Sequence, residues 1–347
     1  MPEYTISQIY PSDRRAMAQV DSLLQQEGIR RDGNLDYICG MYDGDYKLIA
    51  TGSCFGPTLR CFAVSREHQG EGLLNEIVSH LMEVEFARGN THLFLYTKTG
   101  AVRFFGSLGF YEIARVDGTL AFLENRPTGF RDYLRGLEKT RRPGKSGALV
   151  MNANPFTLGH RYLVETAAAR CDTLHLFVLS EDASLVPFRV RRRLVEEGTA
   201  HLSNVVLHDS GPYIISNATF PSYFLKDEAA VIQGHARLDL AVFTQIAGAL
   251  GVTARYVGQE PTSQVTGIYN DIMAQALPQA GIDCVIVPRL EAEGRPISAS
   301  TVREALQRGD LEALRALVPP STLRYFQSPE AAPVLERIRR AGNVVHY

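Results

Sequence analysis

The chain has 347 residues, more than twice the ~150 residues of a typical single domain, so we expect two domains. Hydrophobic residues make up 45% and charged residues 21% of it, a globular composition that excludes disorder, collagen and coiled coil. The 36 Lys and Arg residues nearly balance the 38 Asp and Glu residues, giving a net charge of -2. This balance excludes a global basic field that would attract nucleic acid or an anionic membrane.

Five cysteines are scattered without a C-x-x-C pair or a histidine at zinc spacing: Cys39, Cys54, Cys61, Cys171 and Cys284. Their pattern argues against a disulfide framework or a structural metal and favours a reducing compartment. No apolar run approaches the ~18 residues that a membrane helix needs, and the N-terminal segment lacks the apolar core of a signal peptide. We therefore expect a cytoplasmic protein with neither a membrane nor a nucleic acid as partner.

The first segment alternates short strands with two helical stretches. Asp43-Gly44 is typical of a hairpin turn, and the apolar residues of 74–82 recur at helical spacing. The predicted strands are 37–42, 46–53, 60–64 and 92–96, and the predicted helices are 74–82 and 101–108.

Residues 136–147 (GLEKTRRPGKSG) are rich in basic residues and glycine and poor in apolar residues. The stretches on both sides are periodic and apolar, which predicts a linker here. We therefore place a first domain at 1–138, a linker at 139–146 and a second domain at 147–347.

The second segment alternates strand and helix in regular order. Such alternation is typical of a parallel sheet covered by helices, with ligands at the carboxyl ends of the strands. The predicted strands are 148–151, 174–179, 205–208, 254–257 and 284–287, and the predicted helices are about 159–170, 189–201, 235–250, 264–276 and 299–308.

One motif follows the first strand of this segment: VMNANPFTLGH at 150–160. Thr157 and His160 are three residues apart at a helix start, so both side chains point at one spot. The N–H groups and positive dipole end of the helix make that spot an anion site. Gly159 adds no side chain, which lets a phosphate approach closely. An imidazole donor beside an α-phosphate stabilises charge in the transition state of phosphoryl chemistry.

A second motif, ISASTVR at 297–303, places hydroxyl groups at another helix start and an arginine one turn later. Each motif alone is an ordinary helix start. Together they resemble the (H/T)-x-G-H and I-S-x-T-x-x-R elements of the nucleotidyltransferase superfamily, which bind ATP. The resemblance implies that Thr157 and His160 lie at the α- and β-phosphates. It places Ser298, Ser300, Thr301 and Arg303 at the β- and γ-phosphates. Further ATP contacts are expected from Asn152, Ala153, Asn154, Phe156, Gly159 and Gly258. Met151 departs from the superfamily, which often has glycine there.

Four segments together resemble the citrate lyase ligase family over essentially the whole chain. The resemblance implies activation of acetate by ATP to acetyl-AMP with release of pyrophosphate, with Mg²⁺ as the second cofactor. It then implies acetylation of the prosthetic-group thiol on the acyl carrier subunit of citrate lyase. His160 and Thr157 would stabilise the transition state, and Arg303 would hold pyrophosphate. The segments are MNANPFTLGHRYL (151–163), YIISNATFPSYFLK (213–226), YVGQEPTSQVTGIYNDIM (256–273) and ISASTVR (297–303).

The first segment contains VSREHQGEGLL at 64–74, which resembles the Q/R-x-x-G-x-G/A signature of GNAT acetyltransferases. The resemblance implies that Val64, Gln69, Gly70 and Gly72 bind a coenzyme A-like prosthetic group through N–H groups at a helix start. Leu74 departs from the signature, which ends in a small residue. The expected fold class is therefore α/β, a GNAT-like domain followed by a Rossmann-like nucleotidyltransferase domain with a parallel sheet.

Some interpretations stay open at this point. The alternative function is an adenylyltransferase acting on a pantetheine- or mononucleotide-type acceptor, with the GNAT-like domain as a coenzyme A-binding regulatory module. Lys226 and Glu260 are either solvated or contacts for acetate, magnesium or pyrophosphate. A basic run is expected to be a solvated helix face, unless one arginine turns toward phosphate or an acidic carrier protein: Arg189, Arg191, Arg192 and Arg193.

Overall fold

The computed structural model describes residues 4–215, 220, 228–259, 264–292 and 294–341. The chain forms two compact units. The first comprises Met1–Arg131 and Phe220–Ala241, and the second comprises Asp132–Thr219 and Val242–Tyr347. The predicted linker at 139–146 starts after a helix that ends at Glu138 and reaches the first residue of a strand, Ser146. As a domain boundary it stays a prediction.

The first unit is built on a seven-stranded sheet with the strand order β1-β2-β3-β4-β5-β7-β6. All neighbours are antiparallel except β4 and β5, which run parallel and pair at Thr58–Phe94 and Leu59–Leu95. Val64, at the end of β4, therefore lies beyond the part of β4 that pairs with β5. The strands are β1 (Thr5–Gln8), β2 (Tyr37–Tyr42), β3 (Leu48–Phe55), β4 (Thr58–Val64), β5 (Phe94–Lys98), β6 (Tyr111–Val116) and β7 (Leu120–Glu124).

Helix α2 (Leu73–Ala87) packs against this sheet as its apolar spacing predicts. Ile77 and Leu81 are fully buried, and a Cβ at Gly52 in β3 would lie 2.5 Å from Cγ2 of Ile77. Glycine is required at position 52 because the helix lies this close to the strand. The helices in this part of the chain are α1 (Arg14–Gln26), α2 (Leu73–Ala87) and α3 (Val102–Ser107).

The second unit is built on a five-stranded sheet, all parallel, with the order β10-β9-β8-β11-β12. The chain builds outward from β8 in one direction through β9 and β10, and then in the other through β11 and β12. The sheet therefore has a topological switch point between β8 and β11. Its strands are β8 (Ser146–Met151), β9 (Thr173–Val178), β10 (Val205–Asp209), β11 (Ala254–Gly258) and β12 (Asp283–Val287).

Helices follow the strands in the predicted order, and the predicted α/β class is confirmed in both units. A short antiparallel hairpin, β13 (Glu291–Ala292) and β14 (Arg295–Pro296), precedes the last helices. Among the described residues, no helix is both long enough and apolar enough to cross a membrane. The remaining helices are α4 (Gly129–Glu138), α5 (Leu158–Ala168), α6 (Phe188–Thr199), α7 (Glu228–Leu250), α8 (Gln264–Ala276), α9 (Ala299–Arg308), α10 (Leu311–Leu317), α11 (Pro320–Gln327) and α12 (Ala332–Arg340).

A buried histidine pair joins β9 to β10. Nδ1 of His175 lies 2.9 Å from Nε2 of His208, and the His208 ring stacks on Phe177 with a centroid distance of 4.8 Å. Burial disfavours the charged imidazolium, so the pKa of both histidines is lowered from the usual value. Both rings are therefore neutral at pH 7, and one N–H group is shared between them.

This histidine pair is expected to lower the free energy of unfolding as the pH falls. A histidine with a lowered folded pKa favours the native state above its unfolded pKa of ~6.5, and this contribution is lost as the pH falls. We expect the melting temperature to drop between pH 7.5 and pH 5, and to drop less in the double variant H175Q/H208Q. The control is H201Q, because His201 is exposed and bonded to Glu165. An unchanged pH dependence in the double variant would contradict this assignment.

Candidate active site

The first predicted motif lies at the switch point of the parallel sheet. Strand β8 ends at Met151 and its neighbour β11 ends at Gly258. The loop that leaves Met151 carries the chain to the start of α5 at Leu158. Because parallel strands end at the same edge of the sheet, the motif and Gly258 lie at the position where open α/β sheets bind ligands.

Thr157 and His160 form a reciprocal cap at the start of α5. The His160 N–H group donates to Oγ1 of Thr157 at 3.2 Å, and the Thr157 N–H group donates to Nδ1 of His160 at 3.1 Å. Oγ1 of Thr157 lies 2.9 Å from the same Nδ1. Thr157 is buried, whereas His160 keeps partial exposure. The predicted convergence of the two side chains is therefore present, and each fixes the other.

The cap also determines the tautomer of His160. Nδ1 accepts from an N–H group, so it carries no proton, and the neutral ring carries its hydrogen on Nε2. Burial, followed by the positive charges of Arg289 and Arg303, lowers the pKa of His160 to about 4. At neutral pH the side chain is therefore an uncharged donor that presents Nε2–H at a helix N-terminus.

The second predicted motif forms the start of α9. Ser298 is the N-cap residue, and its Oγ accepts from the Thr301 N–H group at 3.1 Å. Nη2 of Arg303 donates to Oγ of Ser300 at 2.9 Å. Burial lowers the pKa of Arg303 to about 10, which leaves the guanidinium charged at neutral pH. The hydroxyls and the arginine of this motif are thus gathered on one helix turn.

Two contacts join the motifs to each other. Nη1 of Arg303 donates to the Asn154 carbonyl at 2.6 Å. A Cβ at Gly159 would lie 2.6 Å from the Ile297 carbonyl oxygen, so glycine is required there because the two segments touch. The sequence suggested instead that Gly159 makes room for a phosphate, and that role stays a prediction. The hydrogen bond from Arg303 therefore joins the two helix starts, and the missing side chain of Gly159 permits their close approach.

The other predicted ATP residues surround this junction but differ in accessibility. Phe156 is fully buried and Asn154 is 5% exposed, so both side chains support the loop from inside. Ala153 has a positive φ of 52°, and Asn152 is half-buried. The Gly258 carbonyl accepts from Nδ2 of Asn270 at 3.2 Å. Their assignment as ATP contacts stays a prediction.

Arg289 is a cation of this region that the sequence analysis did not identify. It lies two residues after β12, and its Nε donates to the Gln259 carbonyl at 2.7 Å. Its charge acts on His160, as the lowered pKa of that imidazole indicates. Its position after a predicted strand could have identified it from the sequence, because a cation just beyond a parallel strand lies at the edge of the sheet where ligands bind.

The predicted prosthetic-group residues form the loop between β4 and α2 in the first unit. Gly70 and Gly72 have φ values of 90° and 85°, which favour glycine. Gly72 is the N-cap residue of α2, and Nε2 of Gln69 donates to the Val64 carbonyl at 3.3 Å. The loop thus ends at a helix N-terminus, as its signature predicts, and its ligand stays a prediction. Lys226 and Glu260 lie outside the described residues.

The family described as "Citrate lyase ligase C-terminal domain" matches residues 146–326. The chain is similar to the [Citrate [pro-3S]-lyase] ligase of Escherichia coli (strain K12), with 40% identity over 91% of this chain and 92% of that protein. A shorter match, 40% identical over 16% of this chain and 36% of the relative, is to the phosphopantetheine adenylyltransferase of Staphylococcus haemolyticus. A GNAT-family acetyltransferase structure from Staphylococcus aureus is 12% identical, with a TM-score of 0.31, over 36% of this chain and all of that one.

Proposed function

The chain belongs to the citrate lyase ligase family, and from this we propose that it activates acetate with ATP and acetylates citrate lyase. In the first step, a carboxylate oxygen of acetate attacks the α-phosphorus of ATP, forming acetyl-AMP and releasing pyrophosphate. In the second step, the prosthetic-group thiol on the acyl carrier subunit takes the acetyl group and AMP leaves. The enzyme is thus an acid–thiol ligase, and citrate lyase is its protein substrate.

The observation that carries the first step is the neutral His160 at the start of α5. Its Nε2–H is a donor held in place by the Thr157 N–H group on the opposite ring nitrogen. During attack, negative charge builds on the α-phosphate oxygens, and a fixed donor at a helix N-terminus stabilises that charge. We assign this role to His160, with Thr157 as the residue that sets its orientation.

Arg303 is assigned to the leaving pyrophosphate. Its guanidinium is charged at neutral pH despite burial, and it forms hydrogen bonds to Asn154 and Ser300 that fix its plane. A fixed fork of donors suits phosphate oxygens. The hydroxyls of Ser300 and Thr301 at the start of α9 supply further donors for the same group.

Mg²⁺ bound with ATP neutralises phosphate charge. Among the residues that the structure describes, no three His, Cys, Asp or Glu side chains form a metal-binding group. In nucleotide sites magnesium usually keeps several waters and is held by phosphate oxygens with one or two carboxylates, so it would need no such group. The five cysteines are free thiols, which supports the cytoplasmic location that we propose.

Acetate-dependent exchange of pyrophosphate into ATP tests the first step, and reactivation of deacetyl citrate lyase by the protein, ATP and acetate tests the second. We expect both activities. Exchange that depends on a pantetheine or mononucleotide acceptor, and not on acetate, would instead establish the alternative adenylyltransferase. Acetate-dependent exchange without reactivation would limit the proposal to its first step.

For the first unit we propose that the loop 64–72 holds the coenzyme A-like prosthetic group. The substitution Gly72→Val is then expected to slow acetyl transfer to citrate lyase about tenfold or more, because a β-branched residue disfavours the φ of 85° and changes the loop. Acetate-dependent exchange is expected to remain unchanged. The matched control is Gly118→Val, which also replaces a glycine of positive φ with no atom within 4 Å of its Cβ position. Equal loss of both activities in Gly72→Val would contradict this role.

A further inference from the structure

Arg191, in the first turns of α6, is completely buried. The basic run around it is expected from sequence to form a solvated helix face, and for Arg191 that expectation is wrong. Its neighbour Arg192 does remain accessible and pairs with Asp209 and Glu196. A buried guanidinium is costly unless its N–H groups find acceptors, so the contacts of Arg191 indicate why the residue is there.

These contacts are with two neighbouring loops at the carboxyl edge of the parallel sheet. Nη1 donates to the carbonyl and to Oδ1 of Asn152, both at 2.8 Å, directly after β8. Nη1 also donates to the Leu179 carbonyl at 2.8 Å, and Nη2 donates to the Glu181 carbonyl. Nε donates to the Val186 carbonyl at 2.9 Å. One side chain thus joins the loop after β8 to the loop after β9.

The orientation of Asn152 follows from this arrangement. A guanidinium has donors only, so the oxygen of the Asn152 amide must face it and the NH₂ group must face away. That NH₂ group donates to Oγ of Ser184 at 3.0 Å. Arg191 therefore fixes both the main chain and the side chain of Asn152, the first of the predicted ATP-binding residues along the chain.

The same link extends to the second motif. The Val186 N–H group donates to Oδ1 of Asn154 at 3.0 Å, and the Asn154 carbonyl accepts from Arg303. A hydrogen-bonded chain therefore runs from Arg191 through Val186 and Asn154 to Arg303. Small displacements of groups that hold a reacting phosphate reduce rates strongly, so the stiffness of this chain bears on function.

We propose that Arg191 is a positioning residue of the nucleotide site, which fixes the loop 152–154 before ATP binds. The inference rests on the proposed function. Lysine cannot replace it, because an ammonium carries its three donors on one nitrogen, whereas Nε, Nη1 and Nη2 of Arg191 together reach five acceptors. Arg191 acts through Asn152 and Val186 and does not itself contact ATP.

The test compares R191K with R192K on the same helix, using the full chain. We expect R191K to bind ATP about tenfold or more weakly by calorimetry, and to lose amide hydrogen-exchange protection in 152–160 and 179–187 but not in β4 or β7. R192K is expected to behave as wild type in both measurements. Unchanged ATP affinity in folded R191K, or a loss of protection spread evenly over the chain, would overturn the proposal.

A measurement on the wild-type protein covers the case in which R191K does not fold. The Nε–H resonance of Arg191 is expected to exchange slowly with water and to shift when ATP is added, whereas that of Arg192 is not. A fast-exchanging Arg191 Nε–H, or one insensitive to ATP, would also overturn the proposal. Failure of the proposed function looks different, because wild-type protein would then bind ATP without acetate-dependent exchange.

Discussion

Replacing His160 with alanine is expected to reduce acetate-dependent pyrophosphate–ATP exchange by about 10²–10³-fold, the usual effect of removing one fixed donor from a developing oxyanion. The variant loses the Nε2–H donor and also the acceptor for the Thr157 N–H group. Loss of the cap reduces the free energy of unfolding by about 1 kcal/mol, which leaves the fold intact. A fully active His160→Ala enzyme would show that the site is assigned wrongly.

His160→Gln separates the two losses. Glutamine at the third helical position is a usual partner in a capping box, so its side-chain oxygen takes over the bond to Thr157. We expect this variant to keep wild-type stability and to remain as inactive as the alanine variant. If glutamine instead restored exchange, an amide N–H donor would be sufficient at this position and the imidazole itself would not be required.

The donor role also predicts the pH dependence. With a pKa of about 4, His160 remains neutral and keeps its Nε2–H throughout the range from pH 5.5 to 8.5. We therefore expect no loss of exchange in that range that depends on His160. A decline with a midpoint near pH 6.5, the usual histidine pKa, would contradict the neutral tautomer.

Replacing Gly159 with alanine is expected to have the second largest effect. The added Cβ would lie 2.6 Å from the Ile297 carbonyl oxygen, and a main-chain oxygen cannot rotate away as a flexible side chain can. The two helix starts must therefore move apart, which we expect to destabilise the protein by about 1–3 kcal/mol. Because the proposed phosphate contacts come from both segments, exchange is expected to fall about tenfold or more.

The matched control is Gly248→Ala in α7. Like Gly159, Gly248 is a helical glycine of the second unit, but a Cβ at Gly248 would have no atom within 4 Å. Alanine there is expected to leave activity unchanged and to stabilise the helix by about 0.5–1 kcal/mol. Equal behaviour of the two variants in thermal unfolding and exchange assays would rule out the close approach at Gly159.

The sequence predicted the elements of the second unit closely, because buried parallel strands and amphipathic helices leave strong local patterns. Strand β11 was predicted as 254–257 and observed as Ala254–Gly258, and α9 was predicted as 299–308 and observed as Ala299–Arg308. Helix α1 was not predicted, although Asp13 caps it by accepting from the Arg15 and Ala16 N–H groups. Its polar surface made the apolar spacing less obvious than that of α2.

The candidate site was predictable as a set of residue types but not as a set of contacts. Thr157 and His160 are close in sequence, so helical spacing alone brought them together. The bond from Arg303 to Asn154 and the approach of Ile297 to Gly159 join distant segments, and no local pattern reports them. The burial of Arg191 was missed for the same reason, since its acceptors are main-chain carbonyls, which any sequence supplies.

The bond between Arg303 and Asn154 spans 149 positions of the chain. During synthesis, the loop after β8 leaves the ribosome long before α9 exists, so the growing chain cannot assemble this site early. Closure of so long a loop also makes the contact a late and slow event in folding. The two motifs therefore come together only after the chain has been made through α9 and has folded, and a translation product that ends before Arg303 is expected to lack the proposed nucleotide site.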